Sequence, residues 1–435
     1  MARKFNCNCF GRVEEVTSKL KVARLNVQLT ELEITMPTCP PIPPVAITAY
    51  QCVSAAGDDV EALLQSLIAN QSCLKPLRLF DIPFETVVGE VASSLPDIRT
   101  SLKAYDCRNA RLALKALETG NFRADVEYAM ARYGVGRVGL VLGTSTSGIY
   151  NTENAYAHLL RDRSMPGNFH FQQTQTAQAT AEFLQLELGL RGPWYGISTA
   201  CSSSAKALGA AQRLLAADMC DAVLVAGVDS LCRLTLHGFH SLQLVSPMAC
   251  RPMDIDRQGI SIGEGAALLL LERLSQDNAK HPRLLAVGES SDAYHMSAPH
   301  PEGAGAVSSM DMALRLAGRA VDEVDYINLH ATASTLNDQA EAKAVARLFP
   351  NPPPCSGVKG LLGHTLGAVG AVESVISLLA LQRGFLPGTC GLQHPDPQCY
   401  CPVISAPRLD LHPRLVLSNA FGFGGNNASV LLEAA

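Results

Sequence analysis

The sequence predicts an α/β fold built from two similar halves. Three observations carry that prediction. Short, wholly apolar strands alternate with helical segments from Val45 onward. The alternation restarts after a charged, proline-containing stretch, SQDNAKHPR, at residues 275–283. Hydrophobic residues make up 47% of the chain and charged residues only 17%, which calls for broad buried layers such as helices covering both faces of a sheet. At 435 residues the chain also exceeds one ordinary single core.

PVAITAYQC reads as the first strand, and DDVEALLQSLIAN as a helix capped by Asp58 or Asp59. NARLALKALETG is a second helix, stopped at Gly120. RVGLVLGTSTSG, WYGIST and DAVLVAGVDS are buried strands that each run into a loop of small residues, and AALLLLERL closes the first half. The second half repeats the scheme. RLLAVGESSDA and VDYINLHATAS are its strands; SSMDMALRLAG and QAEAKAVARLF are its helices. A long small-residue helix follows Gly363, and LVLSNAF pairs with ASVLLEA around GFGGNN. The expected result is a pseudo-duplicated fold of mostly parallel sheets, two in number, packed through buried Ala- and Gly-rich helices. The expected divisions are an extension at 1–43, a first half at 44–274 and a second half at 284–435. The extension has no secretory pattern and ends in a proline-rich break, TMPTCPPIPP. It reads as a poorly ordered segment or as a start upstream of the true one at Met36.

Charge and composition narrow the function. A net charge of −5 argues against nucleic acid as the main partner. The 14 cysteines are scattered and read as reduced, cytoplasmic thiols. Neither Cys7 with Cys9, nor Cys399 with Cys401 near Cys390 and His394, has the CxxC spacing that commonly holds zinc, so no metal is expected. The apolar window at 368–381 carries Glu373 and is shorter than the ~20 residues of a membrane span, which makes it a buried core helix.

Within GISTACSSSAKAL, Cys201 stands where a strand turns into a helix. The helix N-terminus favours a thiolate, and the backbone N–H groups of the turn suit an oxyanion. The same residue also reads as a buried structural cysteine. Two further junctions weigh against that plainer reading. YINLHATAST ends a strand at His330, and VKGLLGHTLGAVGAVE sets Lys359 and His364 in a glycine loop that opens a helix. One cysteine and two imidazoles at such junctions suit thioester chemistry. NAFGFGGNNA adds a glycine-rich hairpin with two phenylalanines, a candidate gate and source of another N–H.

These motifs, together with RPMDIDRQGISIGEGAALLLLE, ESSDAYHMSAPHPEG and NLHATASTLND, resemble the elongating β-ketoacyl-acyl carrier protein synthases of the thiolase-like superfamily. The resemblance runs from about Val45 to the end. It implies a layered αβαβα fold and a decarboxylative Claisen condensation that needs no metal or redox cofactor. Cys201 would take the acyl chain; His330 and His364 would promote malonyl decarboxylation and stabilise the enolate. Lys359 would set the electrostatics with Glu373. The N–H groups of Cys201 and Phe423 would form the oxyanion hole, and Phe421, Phe423, Gly424 and Gly425 the gate. Asn337, Asp338 and Glu341 would support the His330 loop. The partner would be an acyl carrier protein, loaded with acyl or malonyl groups, and the assembly a homodimer or a heterodimer with a related ketosynthase-like subunit.

The chain departs from the family at ITAYQCVSAAG, where a Gly-x-Gly turn is usual, and at Ala331, Ala333 and Asn426. These changes bear on acyl-chain preference rather than on the reaction. LGTSTSG, GESSDAYHMSAPHP and TLNDQ are similar to the ketosynthases of bacterial aryl polyene clusters, with a housekeeping fatty-acid elongation enzyme as the neighbouring option. Two other readings compete: a silent chain-length-factor-like subunit, which usually lacks the cysteine, and a thiolase or initiating synthase acting on coenzyme A. A carrier-protein patch is expected at Lys75, Arg78, Lys103, Arg108 and Arg111, against the plainer reading of a solvated helix face.

Overall fold

The computed structural model describes residues 41–435. The expected extension, with Cys7, Cys9 and Met36, lies outside the described residues apart from 41–43.

The main sheet contains β1 (Val45–Ser54), β2 (Val138–Gly143), β3 (Trp194–Ile197), β4 (Ala222–Asp229), β5 (Gly265–Arg273), β6 (Arg283–Ser291), β7 (Tyr326–Asn328), β8 (Cys355–Ser356), β9 (Leu415–Gly422) and β10 (Asn426–Glu433). Its order is β8-β7-β9-β10-β6-β1-β5-β4-β2-β3. Read outward from the centre, the first half runs β1-β5-β4-β2-β3 and the second β6-β10-β9-β7-β8. The order is the same in both, which is the duplication the sequence suggested.

Two expectations need correction. The halves are not separate sheets, because β1 and β6 pair through Val45 with Leu284 and Ala46 with Arg283. The cause is local. Only residues 274–282 connect β5 to β6, and β5 already pairs with β1, so β6 emerges at the free side of β1. Nor is either half mostly parallel. β2 is parallel to β3 and β4, but β5 runs antiparallel to β4 and β1. The excursion at 230–264 leaves and returns at one end of the sheet, so β5 must run back. In the second half the tight turn Phe423–Gly425 makes β9 and β10 a hairpin, with the same result.

The helices over two turns long are α1 (Val60–Ala69), α2 (Arg108–Glu118), α3 (Phe122–Tyr133), α4 (Ile149–Asp162), α5 (Ala179–Leu188), α6 (Ser203–Ala216), α7 (Arg233–Ser241), α8 (Ala304–Ala317), α9 (Thr335–Leu348) and α10 (Val369–Arg383). Asp59 caps α1, its Oδ1 accepting from Ala62 N at 2.7 Å. α6 and α10 form the middle layer. α6 touches β2 and β4 of the first half and β6 and β10 of the second; α10 touches β9 and β10 as well as β4 and β5. α2 and α5 cover the outside of the first half, and α8 the outside of the second with α9 against it. This is the layered αβαβα arrangement.

Every residue of α10 from Val369 to Leu381 is buried. The segment Leu366–Arg383 is apolar and long enough to cross a membrane, yet 89% of it is buried inside the protein. A helix hydrophobic on all sides here serves as the core of a five-layer molecule.

Candidate active site

The site begins at the turn between β3 and α6. Ala200 takes a left-handed conformation (φ 53°), which swings the chain from strand into helix and presents Cys201 at the turn. The three serines after Cys201 fix that shape. Ser202 Oγ donates to Thr199 O at 2.9 Å, and Ser203 Oγ accepts from Thr199 N at 2.9 Å while donating to Ala200 O at 2.5 Å. Ser204 Oγ accepts from Ala371 N at 2.9 Å and so ties α6 to α10. Bulk is excluded here: a Cβ on Gly143 would lie 2.3 Å from Ser204 N.

His364 approaches from the second half, its Nε2 lying 3.0 Å from Cys201 Sγ. Its backbone bridges to the first half, with His364 N donating to Ser261 O and Gly263 N donating to His364 O, both at 2.8 Å. The sequence places Lys359 and His364 in a loop that opens the long helix; the structure differs. Lys359 starts a one-turn helix, Lys359–Leu362, and α10 begins only at Val369. A 3₁₀ turn, Leu366–Ala368, intervenes, and Leu366 has φ 52°. That turn lets His364 face Cys201 while α10 points into the core.

His330 completes the group. Its ring packs edge-on against His364 with centroids 5.2 Å apart. One ligand-type atom from each of Cys201, His330 and His364 lies within 4.8 Å of the others. Glu341 on α9 holds the His330 loop, accepting from His330 N at 2.8 Å and Ala331 N at 2.7 Å. Asp338 accepts from Ala333 N at 3.2 Å and Met253 N at 2.9 Å, and Asn337 donates to Asp338 at 3.2 Å. Ala331 and Ala333, where the family favours glycine or a polar residue, both have positive φ, 27° and 68°. The loop therefore keeps a glycine-like backbone with alanine side chains in it.

Burial decides the electrostatics. It pushes the Cys201 thiol up to about 12, against the Lys359 charge and the Phe423 and Cys201 N–H groups, which pull it down. The helix terminus alone suggests a thiolate; full burial outweighs it, so the resting group is a thiol. Burial, reinforced by Lys359, holds both imidazoles well below their ordinary value, and His364 further depresses His330. Both rings are therefore neutral. Lys359 Nζ and Glu373 Oε1 lie 2.6 Å apart, both fully buried. Burial raises the Glu373 carboxyl to about 7, with Lys359 opposing. Asn328 Nδ2 donates to its other oxygen at 3.1 Å.

A cavity of about 330 Å³ opens onto this group. Cys201, His330, His364, Asn337, Phe421 and Phe423 all line it. Phe421 lies against His330, ring centroids 6.0 Å apart, and Phe423 against Phe239 of α7 at 5.3 Å. Gly424 and Gly425 form the turn behind, at φ 77° and 72°. A Cβ on Gly422 would sit 3.1 Å from Thr199 O and 3.2 Å from Cys201 N, so the hairpin runs close against the Cys201 turn.

Other expected residues fall elsewhere. The basic patch is not at this mouth, and none of its five residues lines the cavity. Arg108 is bound to the buried Glu264, while Arg111 pairs with Asp106 and Asp97, and Lys103 with Asp106. Those three line a separate groove of about 970 Å³, their charges already neutralised. Lys75 and Arg78 are exposed. Among the described residues, no three of Cys390, His394, Cys399 and Cys401 come close enough to share an ion. Sequence reasoning missed Phe239 and Asp229. An acid ending the wholly apolar β4 was the available signal for Asp229.

Comparison with known proteins fits this geometry. The β-ketoacyl synthase N-terminal domain matches residues 43–277 and the C-terminal domain residues 282–393. The chain is similar to 3-oxoacyl-[acyl-carrier-protein] synthase 2 of Coxiella burnetii, 31% identical over 89% of this chain and 98% of the relative. Among solved structures it is similar to the ketosynthase ApeO in complex with its chain length factor ApeC from Xenorhabdus doucetiae, with 38% identity and a TM-score of 0.83 over 90% of this chain and 98% of that one. The ishigamide ketosynthase/chain length factor aligns at 26% identity and a TM-score of 0.83, over 90% and 99% of the two chains. With both domains of one family matched in order along the chain, and a relative above 30% identity over nearly its whole length, this protein belongs to the β-ketoacyl synthase family.

Proposed function

We propose that the protein is an elongating β-ketoacyl-acyl carrier protein synthase with Cys201 as nucleophile and His330 and His364 as the condensation pair. The observation that carries the reading is the convergence of one thiol and two neutral imidazoles, drawn from both halves, on one cavity.

In the first stage the Cys201 thiol passes its proton to His364 Nε2 as Sγ attacks an acyl thioester. The N–H groups of Cys201 and Phe423 stabilise the oxyanion. The carrier's sulfur leaves with the proton, and the acyl group stays on Cys201. In the second stage malonyl-carrier protein loses CO₂, and its electron pair becomes an enolate held by an N–H donor of His330 and by His364 in its Nε2–H tautomer, the proton having moved from Nδ1 after the first stage. The enolate carbon attacks the Cys201 thioester, forming the new C–C bond and expelling the Cys201 thiolate, which takes a proton from water. Neutral imidazoles suit this better than imidazolium, since each offers one donor and one acceptor. Lys359 supplies positive charge beside both rings.

The partner is an acyl carrier protein, and the setting the cytoplasm. The division into halves at 44–274 and 284–435 follows the repeated strand order. The motifs LGTSTSG and GESSDAYHMSAPHP favour a polyene-type acyl chain over a housekeeping fatty acid. A heterodimer with a chain-length-factor-like subunit, in which this chain is the active member, is favoured by the two paired relatives.

Intact mass after mixing with saturated, unsaturated and aryl-primed carrier proteins tests the proposal. The expected result is an acyl mass gain on wild type that Cys201→Ala lacks. No gain from any donor, alone or with a related subunit present, overturns it. A His364→Ala variant that still condenses malonyl units near the wild-type rate overturns the two-histidine assignment.

A further inference from the structure

Asp229 ends β4, is fully buried, and has no role in the chemistry above. Its carboxylate accepts from five donors. Thr144 Oγ1, Ser145 N, Thr146 N and Thr146 Oγ1 reach Oδ1 at 2.6, 2.9, 2.7 and 2.7 Å, and Ser145 N also reaches Oδ2 at 3.0 Å. Gly367 N reaches Oδ2 at 2.5 Å. No cation pairs with it among the described residues, so hydrogen bonds alone hold the charge. The two groups of donors come from different places. Ser145 Oγ donates to Ala200 O at 3.1 Å and so grips the strained residue before Cys201. Gly367 follows His364 in the 3₁₀ turn that aims the imidazole. These segments touch so closely that a Cβ on Gly367 would lie 2.6 Å from Ser145 Oγ and 2.8 Å from Asp229 Oδ2.

We propose that Asp229 is a positioning residue that clamps the Cys201 turn to the His364 loop and so sets the contact between thiol and imidazole. The inference rests on the function proposed above. Asp229 acts on Cys201 in two opposed ways. As a clamp it fixes Sγ against Nε2. As a nearby negative charge it disfavours the thiolate, against the Lys359 charge. A residue kept only for nucleophile electrostatics would have the opposite sign. The other groups facing Cys201 are the neutral His364 and His330.

Asp229→Asn separates the two effects. The amide oxygen takes the four-donor side, which leaves Nδ2 facing the Gly367 N–H, donor against donor, while Ser145 N keeps only its bond to the oxygen. The clamp opens on the His364 side and the charge disappears. Iodoacetamide alkylation of Cys201 across pH reads the charge, and turnover with acyl- and malonyl-carrier protein reads the geometry. We expect the alkylation profile to move to lower pH while condensation falls ~10- to 100-fold, as for a misplaced reacting group. Ser145→Ala keeps the charge and removes only the bond to Ala200. Condensation should fall severalfold with the alkylation profile unmoved. A folded Asp229→Asn that condenses within about twofold of wild type, or loses activity with no alkylation shift, overturns the proposal. If Asp229→Asn does not fold, unchanged condensation in Ser145→Ala overturns it. If wild type takes no acyl group at all, the functional reading fails, while an unmoved Asp229→Asn alkylation profile still overturns the present proposal through its charge arm.

Discussion

At the residue scale, the site works by keeping ionisable groups uncharged. His330 and His364 have depressed pKa values, so both stay neutral as pH falls through the ordinary imidazole value of about 6.5. Condensation should therefore hold its rate from pH 8 down to about 6, where an exposed histidine would already be protonated. A fall in kcat with a midpoint near 6.5 would contradict the buried assignment. The stability consequence has a fixed sign. The unfolded chain binds protons at these positions below about pH 6.5 and the folded chain does not, so each histidine contributes stability above that pH and loses it below. Glu341 and Glu373, raised to about 7 by burial, act in the opposite direction over the window below that value. Subtracting a His364→Asn variant isolates the imidazole. Between pH 6.5 and 5.5 wild type should lose up to about 1 kcal/mol more than the variant in urea unfolding. The Lys359–Glu373 pair gives a second residue-scale test. Lys359→Met leaves a buried carboxyl without its cation and should destabilise by about 3–5 kcal/mol. Adding Glu373→Gln should recover part of that loss, which a double-mutant cycle measures directly.

At the element scale, the site depends on how closely α6 and α10 approach. Gly370 sits where a Cβ would lie 2.4 Å from Ala205 N, and Gly227 where one would lie 2.6 Å from the Ala371 Cβ. A Gly→Ala change inside an exposed helix stabilises by about 1 kcal/mol. Here Gly370→Ala should instead destabilise by about 1–3 kcal/mol through overpacking, seen as a lower Tm, with slower alkylation of Cys201 as the helices part. The inversion of sign is the test. The same elements explain what was readable in the chain. Cys201, His330 and His364 were legible because each stands in small-residue sequence at an apolar segment's end, a local pattern. The duplication into two halves was legible as a repeated alternation, while the strand order within each half was not. The reversal of β5 was not, since it depends on where the 230–264 excursion re-enters the sheet. The turn after His364 was hidden because Leu366 adopts a positive φ that its side chain does not advertise. Arg108 read as a free surface charge because Glu264, its partner, lies far along the chain.

At the scale of the whole molecule, one side is unfinished. Among the described residues β3 pairs only with β2, and its residues are half-buried, leaving a sheet edge without a partner there. One face of that strand is covered by the backbone at Ala177 and Gln178, since a Cβ on Gly196 would sit 2.4 Å from Ala177 O and 3.3 Å from Gln178 Cα. From there an apolar surface continues. α4 buries only Ala155, while Tyr156, Leu160 and Phe171 are 52%, 72% and 53% exposed. An open edge beside exposed large hydrophobics marks a protein interface more often than a solvated face. A second ketosynthase-like chain, which can add a strand to β3 and cover α4, fits both features. Native mass spectrometry should therefore find two chains per particle, and Leu160→Glu should release single chains. A wild type that remains single at micromolar concentration would contradict this. The released chain also separates assembly from chemistry. Cys201, His330 and His364 all come from one chain, so Leu160→Glu should keep the wild-type pH profile of Cys201 alkylation. Acyl transfer is then assayed with and without a related subunit, and recovery only when that subunit is added would assign the second chain to shaping the acyl site rather than building the nucleophile.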